Sequence, residues 1–157
     1  MWQALQHAGW VEALATSRSL YGTASVAHYS AVFLAVGMIV LRDLRILGLA
    51  DRRGSLPALA EQLRPWTLIA FGVAALSGFL LFAVDAGDFA AAALFQLKML
   101  AVLGGIISTV AIEWNLPQWD RAAVMPATAR LAALLSIVCW LGAIVVSVEI
   151  PALTGLG

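Results

Sequence analysis

The chain has 157 residues, 62% of them apolar and only 11% charged, with a mean hydropathy of +0.94. A soluble domain of this size carries roughly a quarter of its residues as charges, so a soluble monomer is excluded, as is a disordered chain. Nine basic and nine acidic residues cancel, which excludes nucleic acid as a partner and leaves an integral membrane protein with the lipid bilayer as its solvent.

The first 18 residues begin MWQALQHAGWVEALATS and carry one basic residue, Arg18. That is not the pattern of a cleavable signal peptide. Trp2, Leu5, Val11 and Leu14 alternate with Gln3, Gln6, His7 and Glu12. This spacing predicts an amphipathic helix over 1–18, lying on the membrane interface with Trp2 and Trp10 as anchors.

Four uncharged or nearly uncharged stretches follow. Residues 19–41, 65–84 and 131–148 contain no Asp, Glu, Lys or Arg, and 89–112 contains only Lys98. A helix rises about 1.5 Å per residue and the hydrocarbon core is about 30 Å thick, so each stretch is long enough to cross. The sequence therefore predicts an all-α, up-down four-helix bundle with spans at about 19–41, 66–86, 92–114 and 131–151. Period-two alternation, the mark of a membrane barrel, is absent. In the connection 42–64, Ser55 is placed to cap a short helix holding Leu56, Leu59 and Leu63, with Pro65 opening the second span. Short connections predict that the second and third spans are antiparallel neighbours, and likewise the third and fourth. Contact is expected through small residues: Gly72, Ala74, Ala75 and Gly78 in the second span, Gly104 and Gly105 in the third, Ser136, Gly142 and Ser147 in the fourth. Gly37 is the counterpart in the first. Serines and threonines are expected to bond to carbonyls of their own helices.

Ionisable groups inside spans cost several kcal/mol and are the candidates for function. By helix rise, His28, Lys98, Met99, Asp85 and Glu149 fall in the outer half, whereas Glu113 lies about 20 Å deeper than His28 at the inner end. His28 invites two readings: a haem or proton ligand inside the bundle, or a histidine donating to a carbonyl or a serine such as Ser25. Met99 is the one residue at its depth that could complete a haem b site. Lys98 has a stem long enough to reach Asp85, Asp88 or Glu149; an anion site is its functional alternative. Asp43, between Arg42 and Arg45, is expected to pair at the inner surface, and Glu113 to sit near Arg121 or Arg130. One Cys (Cys139) and two His give no metal cluster of ordinary spacing. No nucleotide loop, zinc motif or nucleophile elbow is present. Catalytic residues are therefore expected to be none, and the chain not to be an enzyme.

The stretches HYSAVFLAVGMIVLRDLRILGLA (28–50), LRPWTLIAFGVAALSGFLLF (63–82), FQLKML (95–100) and PATARLAALLSIVCWLGAIVV (126–146) resemble a family of small bacterial four-helix integral membrane proteins of unknown function. A looser, architectural likeness is to cytochrome-b-like and copper-resistance-type membrane bundles. The resemblance implies recurring positions at His28, Asp43, Arg45, Pro65, Trp66, Lys98 and Met99. The chain departs from the family pattern at Glu113, where members often carry a second histidine, and at Ser147-Val148, where they often carry Gly-Arg.

Three functions follow as expectations. The chain is an accessory or anchor subunit of a membrane assembly, a redox assembly being one candidate, with other membrane subunits or copies of itself as partners. The alternatives are a b-type haem electron carrier using His28, and a small transporter or ion-conducting oligomer using the outer polar layer. Orientation is set by basic residues. Seven arginines fall in 42–64 and 115–130, against Arg18 alone on the other side. The chain is thus expected in the bacterial inner membrane with both termini outside. A reporter active only outside the cytoplasm, fused after Gly157, is expected to be active; a signal from a cytoplasm-only reporter at the same place would overturn the orientation.

Overall fold

A computed structural model describes residues 2–50, 54–122 and 124–154, the side chains of Gln3 and of 149–154 excepted. Arg52, Arg53 and the Glu149 side chain lie outside what is described. The described backbone is helical throughout, in the order α1 (Trp2–Gln6), α2 (Gly9–Thr16), α3 (Arg18–Leu47), α4 (Leu56–Val84), α5 (Ala86–Ala91), α6 (Ala93–Asp120) and α7 (Ala127–Thr154). Helices α3, α4, α6 and α7 are long and apolar enough to cross a membrane.

Helix boundaries follow local chemistry. Ser17 caps α3 through its hydroxyl on Leu20 N. The helix ends at Gly48, whose φ of 81° suits a residue without Cβ. Ser55 caps α4 by accepting from Ala58 N, with Pro57 in the first turn. The expected break at Pro65 does not occur: the short helix and the second span are one helix of 29 residues. Proline removes a single backbone bond, and neighbouring packing outweighs that loss. Likewise α6 runs through Pro117 to Asp120.

The N-terminal segment forms two short helices rather than one, broken at His7 and Ala8. Val11 and Leu14 are buried. Trp2 meets Phe82 edge-on at 5.4 Å, and Trp10 stacks on Phe79 at 6.3 Å. Both rings thus pack on α4.

The long helices alternate in direction. Ile46 at the end of α3 clusters with Leu56 and Ala60 at the start of α4, Ile112 and Leu116 near the end of α6, and Ala129 and Ala133 at the start of α7. Neighbour relations differ from the expectation. α4 packs extensively on α3, α3 on α7 and α7 on α6, but α4 and α6 touch only sparingly. The four helices form a row α4–α3–α7–α6 whose two ends approach without closing. Side-chain shape accounts for this. Gly105 of α6 receives the Trp140 indole of α7, where a Cβ would stand 2.6 Å from the ring, and Gly104 receives Cys139 Sγ. Trp140 Nε1 donates to Thr109 Oγ1 at 3.1 Å, and the ring packs on Phe71 at 5.0 Å. Gly78 of α4 faces His28 of α3. The glycines that matter therefore tie α6 to α7 and α4 to α3. Gly37, Gly72 and Gly142 have open space instead. Replacing Gly105 with Leu forces Trp140 from its seat and is expected to cost about 1–3 kcal/mol, measured as a lowered unfolding midpoint in detergent.

Candidate functional site

Polar side chains gather at two levels of the bundle. At the end where α3 and α6 finish and α4 and α7 begin, an ion network joins α3, α6 and α4. Arg42 of α3 is 4% exposed and Asp43 is fully buried. Arg42 Nε and Nη2 donate to Asp43 Oδ1 at 3.0 and 2.8 Å, and its Nη1 donates to Glu113 Oε1 at 2.8 Å. The second oxygen of Glu113 accepts from Nε and Nη2 of Arg64 on α4, at 3.3 and 2.8 Å. Beyond Asp43 lies Ser136 of α7, close enough to act on the carboxylate but without closing a hydrogen bond. Asp43 Oδ2 and Ser136 Oγ are thus buried and unpartnered. The charges alternate along the chain Asp43–Arg42–Glu113–Arg64, so each ion is held by one of opposite sign.

Beside this network, between α4 and α6 and floored by α3, is a cleft of about 370 Å³. Arg42, Arg64 and Glu113 line its polar end, and Thr67 and Thr109 contribute hydroxyls. Met38, Ile39, Leu68, Phe71 and Val110 make its walls apolar. Thr67 donates to Leu63 O in its own helix. Thr109 accepts from Trp140.

The second level holds His28. Its Nδ1 is 2.9 Å from the Ala74 carbonyl. A carbonyl can only accept, so Nδ1 carries the hydrogen and Nε2 is left with its lone pair. Ser77 places its oxygen 3.4 Å from the same nitrogen while donating to Val73 O. The ring lies against Gly78, where a Cβ would meet Cε1 at 2.7 Å. Ser25, the expected partner, bonds to Tyr21 O within its own helix, as do Thr23, Ser77 and Ser147 with theirs.

Other expected site residues are distributed differently. Lys98 lies within electrostatic reach of His28, and its Nζ is 5.7 Å from the Phe95 ring centroid. It makes no ion pair with Asp85 or Asp88 among the described residues. Asp88 is exposed on α5, and Asp85 lies within electrostatic range of Tyr21 without a hydrogen bond to it. The described part of the outer polar layer is therefore not one connected cluster. Met99, about 100° around the helix from Lys98, is turned outward and 48% exposed. His28 points into α4, so the structure does not bring the expected haem pair together. Asp43 pairs with Arg42 as expected, but in the interior rather than at a surface. Glu113 pairs with Arg42 and Arg64, not with Arg121 or Arg130, because α6 turns it inward over the end of α3. Arg45 reaches back to the Gly54 carbonyl. Among the described residues no group of three His, Cys, Asp or Glu could hold a metal.

Residues 4–150 match the pattern of a known family. The chain belongs to DUF6644, a family of unknown function. No curated protein and no solved structure matches it. The family has no assigned function, so the chemistry of this DUF6644 chain has to be read from its own side chains.

The network makes an asymmetric prediction for this family member. Arg42→Gln leaves Asp43 buried without its cation and is expected to cost about 3–5 kcal/mol. Arg64→Gln, at a half-exposed position, is expected to cost about 1 kcal/mol or less. Unfolding midpoints of the two variants in the same detergent test the difference; equal losses would contradict it.

Proposed function

We propose that the protein is a non-catalytic subunit of a larger membrane assembly, set in the bacterial cytoplasmic membrane with its arginine end inward. The observation that carries this reading is the open row of helices. α4 and α6 each have a single extensive neighbour. Their other faces present uncovered apolar side chains, among them Leu68, Ile69 and Leu76 on α4 and Leu100, Leu103 and Ile107 on α6. Five ionisable groups tie helices together: Arg42, Asp43, Glu113 and Arg64 through one another, and His28 through Ala74. A chain built this way offers a rigid apolar surface at both ends of its row, suited to packing against further transmembrane helices through close van der Waals contact.

A second reading, axial ligation of haem b by His28, is favoured by one feature. A ligating histidine typically donates its other ring hydrogen to a carbonyl, which fixes the tautomer and orients the ring. Nδ1 of His28 does this toward Ala74, leaving Nε2 as the ligand atom. The exposed position of Met99 means that a sixth ligand would come from elsewhere.

One preparation tests both readings. Solubilised in mild detergent from its own membranes, the tagged chain is expected to carry other polypeptides in fixed stoichiometry and to show no Soret band. A lone monomer, or copies of itself alone, would overturn the accessory role. A Soret band abolished by His28→Ala would establish the haem reading.

A further inference from the structure

The cleft at the arginine end has donors that the protein leaves unused. Arg64 spends Nε and Nη2 on Glu113; its Nη1 donates to nothing among the described residues. Glu113 therefore holds the guanidinium in place while leaving one edge free. Thr109 lines the same cleft. Its oxygen accepts from Trp140, and its own hydrogen has no acceptor among the described residues. Thr109 lies one helical turn from Glu113, about 6 Å along the axis. An occupant that satisfies the cleft must bring an anionic acceptor at the mouth, a neutral acceptor about 6 Å deeper, and an apolar remainder against Phe71, Leu68 and Val110.

The depth of the mouth is marked independently. Trp114 of α6 lines it and is 82% exposed, Trp66 lies at the same level of α4 as Arg64 and is 61% exposed, and exposed tryptophans of membrane helices sit at headgroup level. The cleft suits a narrow chain with a polar head. The ionisable groups lining it are two arginines and one glutamate. Asp43 balances Arg42 from the far side and Glu113 meets Arg64, so the four charges cancel and the mouth presents the one edge of Arg64 that Glu113 does not engage.

We propose that this cleft binds one anionic glycerophospholipid, its phosphate on Arg64, an ester carbonyl on Thr109 and an acyl chain between α4 and α6. A phosphate oxygen accepts from Arg64 in a charge-assisted hydrogen bond. The ester carbonyl sits below the phosphate in such a lipid, on the side of the hydrocarbon, which matches the deeper hydroxyl. The lipid fills the seam that sparse contact between α4 and α6 leaves open. This proposal does not rest on the subunit reading, because it concerns the chain alone.

The full chain, stripped of lipid in detergent, is titrated with phosphatidylglycerol, phosphatidylcholine or inorganic phosphate and followed by native mass spectrometry and thermal unfolding. One phosphatidylglycerol per chain is expected to be retained and to raise the unfolding midpoint, with phosphatidylcholine bound more weakly. Arg64→Gln is expected to weaken phosphatidylglycerol binding about tenfold, and Thr109→Val by a smaller factor. Arg121→Gln, exposed and outside the cleft, leaves it unchanged. Phosphatidylglycerol carrying a photoreactive acyl chain is expected to label Leu68, Phe71 or Val110. Equal affinity for the two lipids, unaltered affinity in Arg64→Gln, or labelling spread evenly over the apolar surface would overturn the proposal. So would stabilisation by inorganic phosphate equal to that by the lipid, which would make this a free-anion site.

Discussion

The ion chain from Asp43 through Arg42 and Glu113 to Arg64, buried at its Asp43–Arg42 end, constrains everything else in this molecule. Removing ions from water costs several kcal/mol each, and the cost is met only where partners are close and well aligned. Arg42 and Asp43 cannot be moved to another depth or turned to lipid without losing those partners. Their positions fix how far α3 slides against α6 and how α6 is rotated. Because Arg64 completes the chain from α4, one polar layer sets the register of α3, α4 and α6, and Ser136 of α7 faces it without a bond. Apolar packing alone would not, since lipid competes equally well for leucine and valine surfaces.

Close packing then divides the bundle into pairs. Gly105 accepts Trp140 and Gly78 accepts His28, so α6 fits α7 and α4 fits α3. The α4–α6 seam has no such notch and is bridged at its end by Arg64 and Glu113. That combination, a polar clasp at headgroup depth above an apolar slot, turns a packing shortfall into a site with directional chemistry. The unused Nη1 of Arg64 and the unused hydroxyl hydrogen of Thr109 are the two atoms on which a ligand reading stands. His28 belongs to the opposite level and to a different contact. Its bond to Ala74 holds α3 against α4 and leaves Nε2 as the only ring nitrogen able to bind a metal or accept a proton.

Much of this was legible in residue order. Gaps between charges located the four membrane-length helices, because a charge inside hydrocarbon is costly enough to be rare. The same count put Arg42, Arg64 and Glu113 near one end and His28 and Lys98 near the other. Ser55 and Gly48 act through local hydrogen bonding and backbone freedom, which depend on only a few neighbours. What order could not supply is azimuth. Depth along a helix comes from counting residues. The direction a side chain faces depends on which neighbour the helix meets.

Tertiary packing therefore decided that Glu113 meets Arg42 and Arg64 rather than Arg121 or Arg130, that Met99 faces outward while Lys98 lies near His28, and that α4 packs on α3 instead of α6. It also carried α4 through Pro65, where a local rule alone expected a break. The amino-acid order determined the number of membrane-length helices and the level of each polar group along them, since these follow from length and transfer cost. Pairing and openness were left to the fold, because they arise from the fit of particular surfaces that are far apart in the chain.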